Sequence, residues 1–292
     1  MYGLMIRVAD FFSTDPYRGN ADGTGSRHKI LARPQPGNTY CIFFTPRSGS
    51  THLKDLLSST NALGHPREIF NPNVLSKLAQ SVGARSLDEY ADLTGRNWQN
   101  GGTAGFEITF RHVLYAFKNQ SHFFRIYSEG VFFWLIREDI VAQAVSASRL
   151  RQTRVSSTVV AGPAAARNSE DVFRYRPAQI RRYIRRLRWI EKATERFFRA
   201  HDIAPVRLSY ELLTRTRPND LCQVFADRTG TAIDPKVSVS SRYTKLESAK
   251  AVAFTKKFRA SHTRWLRRVE AERSAMISAV GDGLVAGLPD IG

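Results

Sequence analysis

Cysteine is nearly absent: Cys41 and Cys222 are the only two among 292 residues. That leaves no disulfide framework and fits a reducing compartment. No Cys/His cluster has metal-site spacing, so no metal is expected. Long apolar runs are missing too. The longest, Val131 to Ile136, is far too short to cross a bilayer and suits a buried strand. The N-terminus lacks the continuous apolar core of a secretory signal, so the cytoplasm is the expected compartment. Acidic side chains are in short supply: 26 Asp and Glu stand against 44 Lys and Arg, for a formal charge of +18. The surplus implies anionic partners, whether nucleotide, nucleic acid, acidic glycan or membrane surface.

What the chain does have begins at Tyr40-Cys41-Ile42-Phe43-Phe44-Thr45-Pro46-Arg47-Ser48-Gly49-Ser50-Thr51. An apolar run leads into a short loop with one arginine, one glycine and several hydroxyls. An amphipathic stretch, Leu53 to Leu57, follows. This reads as buried strand, tight loop and helix start. Such a loop aims backbone N–H groups and the positive end of a helix dipole at one point, where an anion can sit. A guanidinium and hydroxyls add donors suited to phosphate or sulfate oxygens. A nucleoside triphosphatase loop would need Gly-x-x-x-x-Gly-Lys-Ser/Thr. Here no lysine precedes the hydroxyl pair, which argues against ATP or GTP hydrolysis. The competing reading is an ordinary turn in which Ser48 or Ser50 caps the helix.

With 42% hydrophobic residues the chain can bury a full core, in one large α/β domain or two small ones. Residues 1–38 read as an extension, with turn and linker chemistry at Asp22-Gly23-Thr24-Gly25-Ser26 and Pro34-Gln35-Pro36-Gly37. Phe11, Phe12 and Tyr17 could dock it on the body, as a lid or a dimer arm. Residues 39–292 read as a single domain. Strand-like runs at 40–45, 104–108, 131–136 and 205–209 alternate with helical patterns at 51–59, 73–82, 139–152, 177–201 and 218–229. That alternation predicts an α/β fold, a P-loop-like parallel sheet flanked by helices. In the 177–201 segment, Ile180, Ile184, Leu187, Ile190 and Phe197 share a face. Arg181, Arg182, Arg185, Arg186 and Arg188 crowd the remainder, a solvated face by the simpler reading and a rail for an acidic partner by the sharper one. A second basic cluster holds Arg242, Lys245, Lys250, Lys256 and Lys257, and 261–280 reads as helical.

At the end of the 131–136 run stands Arg137, and Ser146 lies in the following helix. So placed, the two can pinch one phosphate. The competing reading pairs Arg137 with Glu138 or Asp139. Together the two features resemble the bacterial carbohydrate sulfotransferases typified by trehalose 2-sulfotransferase. Arg47-Ser48-Gly49-Ser50-Thr51 resembles the first motif of that family. His65-Pro66-Arg67-Glu68-Ile69-Phe70 resembles its Glu-Phe segment. Arg137 through Ser146, with Arg149 and Gln152-Thr153, resembles the second motif, and Pro205 to Leu213 its Tyr-Glu segment. His52 stands where the family has an apolar residue, and Phe106-Glu107 falls where a lysine is expected after Gly105.

The resemblance implies a sulfotransferase fold and transfer of a sulfuryl group from phosphoadenosine phosphosulfate (PAPS) to a hydroxyl of a carbohydrate or glycolipid. It assigns Arg47, Ser48, Gly49, Ser50 and Thr51 to the phosphosulfate and Arg137 and Ser146 to the 3′-phosphate. Arg47 and Glu68 become the catalytic residues, Glu68 as base, with His52, His65 and His112 as rivals. Contact with a membrane surface and a homodimer are compatible with the charge and the extension. Two other classes compete: a kinase-like enzyme, with Asp139 near a strand end for Mg²⁺, and a basic nucleic-acid-binding protein. No helix-turn-helix, zinc-finger or RNP pattern supports the latter.

Overall fold

The computed structural model describes residues 22–117, 119–155, 169–243 and 248–281. Phe11, Phe12, Tyr17 and Lys245 lie outside the described residues. The core is a four-stranded sheet of β1 (Asn38–Phe44), β2 (Thr103–Ile108), β3 (Val131–Ile136) and β4 (Val206–Ser209), in the order β2-β1-β3-β4. All three pairings are parallel, with Ile42 opposite both Glu107 and Phe133. The fold is therefore α/β with an all-parallel sheet flanked by helices, as the sequence implies.

Parallel strands linked by crossovers are covered on both faces, and their side chains alternate between two cores. Tyr40, Ile42 and Phe44 of β1, with Phe133 and Leu135 of β3, pack against Leu53, Leu56 and Leu57 of α2 (Ser50–Ser59). Leu221, Cys222 and Phe225 of α10 (Pro218–Thr229) complete this layer. Pro218 opens α10 and Gly230, at φ 65°, closes it, so both boundaries carry sequence signals. On the opposite face Cys41, Phe43 and Trp134 meet α3 (Leu75–Val82), α4 (Leu87–Trp98), α5 (Phe110–Ala116) and α6 (Gln120–Tyr127). Phe43 is fully buried among Phe123, Phe132, Phe197 and Phe198. Truncating such a ring to alanine costs about 3–5 kcal/mol.

The long helix α8 (Pro177–Ala200) serves two cores. Its first turns bury Ile180, Ile184 and Leu187 against α7 (Ile140–Thr153), α11 (Ala249–Ser261) and α12 (Thr263–Ala271). Its last turns carry Ala193, Phe197 and Phe198 onto the sheet. The exposed-arginine reading of this helix fails at Arg188, which is 8% exposed and donates to Glu191 at 2.6 Å. The Asp22–Ser26 run, expected as linker, opens a helix instead: α1 (Asp22–Leu31) docks on the body through buried Ile30 and an Arg27–Glu89 ion pair. Two further short helices are α9 (Tyr210–Arg215), after β4, and α13 (Ser274–Ser278), near the end of the described residues.

Topology fixes where a ligand can approach. β1 leads by crossover to β2 on one side, and the chain returns to place β3 on the other. The crevice at the carboxyl ends of β1 and β3 is the switch point of the sheet, where open α/β folds bind ligands. The loop after β1 carries Arg47 and the loop after β3 carries Arg137.

Candidate active site

The loop after β1 is held from outside. Gln143, fully buried on α7, donates through Nε2 to Thr45 Oγ1 at 2.8 Å and to the Pro46 carbonyl at 2.9 Å. Arg47 stands at φ 70°, a left-handed conformation unusual for a residue with a side chain. Gly49 caps α2 at φ 91°, and a Cβ there would lie 2.7 Å from the Tyr210 ring. No side chain caps α2. The capping roles open to Ser48 and Ser50 are thus not taken; His52 N–H bonds the Gly49 carbonyl at 3.0 Å, and the Ser50 and Thr51 N–H groups, at the positive end of the helix, have no backbone partner. Ser48 is fully buried and its Oγ lacks a hydrogen-bond partner. Thr51 is exposed. An orphaned hydroxyl, open amides and a glycine with no room for a methyl group fit an anion drawn in against the backbone.

The second arm comes from β3. Arg137 lays its guanidinium 4.5 Å from the Tyr210 ring centre, with its Nε 3.8 Å from a Glu211 oxygen. The Glu211 carboxylate accepts from the N–H groups of Glu138, at 2.8 Å, and Asp139, at 3.3 Å. Local pairing of Arg137 with Glu138 or Asp139 is not observed: Glu138 accepts from Ser209 Oγ at 2.5 Å, and Asp139 caps α7 and pairs with Arg259 at 2.8 Å. From below, the buried Arg273 guanidinium donates to the carbonyls of Arg137 and Glu138 and pairs with buried Glu191.

The arms meet. Arg47 Nε donates to Ser146 Oγ at 3.1 Å. Burial first, and then the charges of Arg137 and Arg149, pull the Arg47 guanidinium below the usual arginine range. Cations that destabilise one another in a half-buried crevice are relieved by a bound polyanion. Arg149 is itself anchored by Glu170 at 2.8 Å.

Two carboxyl groups stand at the β2 side. Glu68 is half-buried and accepts from Asn71 Nδ2 at 2.8 Å. Its neighbour Arg67 lies over Trp98 instead of pairing with it. Arg67 bridges to Phe106, its carbonyl accepting from Glu107 N–H at 2.9 Å, so the Glu68 segment runs along the edge of β2. Glu107, in the Phe106-Glu107 pair that departs from the family pattern, is 1% exposed. Burial pushes its pKa to about 8; Lys54 and a hydrogen bond with the Ser50 hydroxyl oppose the shift, and the Glu68 charge adds to it. A neutral acid at this position can donate to Ser50 Oγ and leave the Ser50 hydrogen free for an anion in the loop.

Of the residues singled out in the sequence, the loop 47–51, Arg137 and Ser146 come together at the switch point, and Glu68 stands beside the loop residue Ser50 through Glu107. Two of the three rival bases have other work. His52 Nδ1 is 3.1 Å from the Tyr243 carbonyl. His112 closes a capping box with Thr109, and burial, then Arg111, lower its pKa to about 4. His65 is exposed. Sequence reasoning missed Gln143 and Arg273 as supports, and read Glu107 only as a departure and Tyr210 and Glu211 only as part of a resemblance. Among the described residues no group of three or more His, Cys, Asp or Glu is placed to hold a metal ion, and no helix is long and apolar enough to cross a membrane.

A family model described as Stf0 sulphotransferase matches residues 114–261, about half of the chain. The match takes in Arg137, Ser146, Tyr210 and Glu211, and begins after the Arg47 loop and Glu68. No curated protein matches the chain.

Proposed function

The chain belongs to the Stf0 sulphotransferase family, and on that footing we propose that it transfers a sulfuryl group from PAPS to a hydroxyl of a carbohydrate or glycolipid. The observation that carries the reading is the convergence of Arg47 and Arg137, from adjacent parallel strands, on one switch-point crevice with an orphaned Ser48 hydroxyl. PAPS, when bound, supplies the sulfuryl group and a nucleotide leaving group.

The residues of the chain then do four things. Ser48, Gly49, Ser50 and Thr51 hold the phosphosulfate through amides and hydroxyls. Arg137, on its Tyr210 shelf, and Ser146 hold the 3′-phosphate. Arg47 offsets the charge that grows on the leaving oxygen as the S–O bond breaks, and its hydrogen bond to Ser146 links the two grips. Glu68 accepts the proton of the attacking hydroxyl, and its contact with Asn71 fixes the carboxylate for that task.

The test is a calorimetric titration with phosphoadenosine phosphate beside AMP and ATP. Binding should depend on the 3′-phosphate and fall about ten- to a hundredfold in Arg137→Ala, the weight of a charge-assisted hydrogen bond or two. Affinity indifferent to the 3′-phosphate would overturn the reading. With the donor established, Glu68→Gln should abolish turnover and leave nucleotide affinity intact.

A further inference from the structure

A cavity of about 480 Å³ opens beside Arg47, between the C-terminal half of α7 and the facing turns of α8. That volume suits a small-molecule ligand. Its walls divide into two kinds. Leu150, Leu187 and Ile190 make an apolar side; Arg47, Arg151, Arg154 and Arg186 bring cations. No carboxylate and no side-chain amide lines it among the described residues, and Tyr183 brings its one side-chain acceptor. Arginine donates hydrogen bonds and accepts none. A neutral polyol, whose hydroxyls must also donate, finds few side-chain partners here.

Backbone conformation points the same way. Among the described residues, four other than glycine have positive φ: Arg47, Asn61, Arg154 and Asp202. Asn and Asp adopt the left-handed region with little cost, whereas arginine does so less readily. Both arginines of the group line this one cavity. Arg154 is the C-cap of α7 at φ 58°, a place where glycine is the relaxed choice. Basic residues in a last helical turn also answer the helix dipole, and that suffices for Arg151. It does not explain a long side chain held in a glycine conformation. Neither Arg151 nor Arg154 has an acidic partner among the described residues, and both are exposed.

We infer that this cavity is the acceptor pocket and takes a hydroxyl compound with an anionic group, carboxylate or phosphate, beside an apolar portion. Its role as acceptor pocket rests on the sulfuryl-transfer reading; its ligand chemistry does not. Arg151 and Arg154 bind the anion at the rim, the leucines and Ile190 cover the apolar part, and the hydroxyl extends past Arg47 toward Glu68, which does not itself line the cavity.

Hexyl β-D-glucuronide, hexyl β-D-glucoside and free glucuronate separate the requirements, titrated with and without phosphoadenosine phosphate. The hexyl glucuronide should bind at least tenfold tighter than either the neutral glucoside or the free acid. A preference for charge without the chain would assign the pocket to free sugar acids and overturn the apolar half of the inference. The double variant Arg151→Gln/Arg154→Gln should lose the preference for charge, and Arg151→Lys/Arg154→Lys should keep most of it. Arg154→Gly gives a second readout: the thermal midpoint should rise as the left-handed strain is relieved, while the charge preference falls. Equal binding of glucuronide and glucoside, no glucuronide binding at millimolar concentration, or a preference that survives the double glutamine change overturns the inference. Nucleotide binding without charge preference rejects the pocket alone. Charge preference without nucleotide binding rejects the donor reading alone.

Discussion

Replacing Glu107 by glutamine tests how deeply the β2 end of the site is sealed. Glu107 is 1% exposed, and burial lifts its pKa from 4.5 to about 8. The acid is therefore protonated in the folded protein and ionised in the unfolded chain across that interval. The folded state binds more protons there, so stability is fully present below pH 4.5 and is lost as pH rises toward 8. The slope is about 1.4 kcal/mol per pH unit, or roughly 3 kcal/mol between pH 5 and 7. Glutamine keeps the shape and a donor but does not titrate. Urea unfolding of both proteins at pH 5, 6, 7 and 8 gives the comparison. Glu107→Gln should gain on the parent by about that slope, with the gain growing as pH rises. The comparison must be a difference between proteins. His112, whose folded pKa drops to about 4, contributes stability that is lost as pH falls, the opposite sense, and it cancels only in the difference. A gain that stays flat within about 0.5 kcal/mol from pH 5 to 7 would refute the buried neutral acid.

Two further changes probe the scaffold of the site. Gly49→Ala puts a methyl group into a left-handed position against the Tyr210 ring; it should cost about 1–3 kcal/mol in chemical denaturation and weaken phosphoadenosine phosphate binding by displacing the shelf under Arg137. Unchanged affinity in calorimetry would mean that Tyr210 yields freely. Arg273→Met removes one guanidinium from Glu191 and leaves a buried carboxylate with Arg188 alone; a loss of about 3 kcal/mol is expected from urea unfolding, and a loss under 1 kcal/mol would count against the network.

Much of this architecture is legible in the chain because local signals and tertiary roles coincide. The runs at Tyr40–Phe44 and Val131–Ile136 are apolar on both faces, which only a covered parallel strand requires. Pro218 and Gly230 punctuate α10 in the chain itself. The loop after β1 and the Arg137 turn could be paired because each has its own anion chemistry. α4 went unread although Ser86 accepts from the Glu89 amide, the start of a helix-capping pattern visible in Ser-x-x-Glu. α1 was hidden by glycines whose helical cost is offset by docking, through Ile30 and the Arg27–Glu89 pair. Glu107 reads as one more residue of a strand; its burial arises only when the Arg67 segment runs alongside. The buried arginines were unreadable for a related reason. Arg273 and Glu191 lie 82 positions apart, and no local pattern announces that two charges will meet in the interior.

Arg273 also bears on where the chain can be cut and when it is complete. The family match stops at residue 261, and the residue that grips the carbonyls of Arg137 and Glu138 lies beyond it. A fragment trimmed to that boundary would keep every motif arginine and lose the bracket that sets one of them. On the ribosome the same dependence imposes an order. The turn after β3 is synthesised before the midpoint of the 292 residues, yet it gains this fastening only when the segment that carries Arg273 emerges.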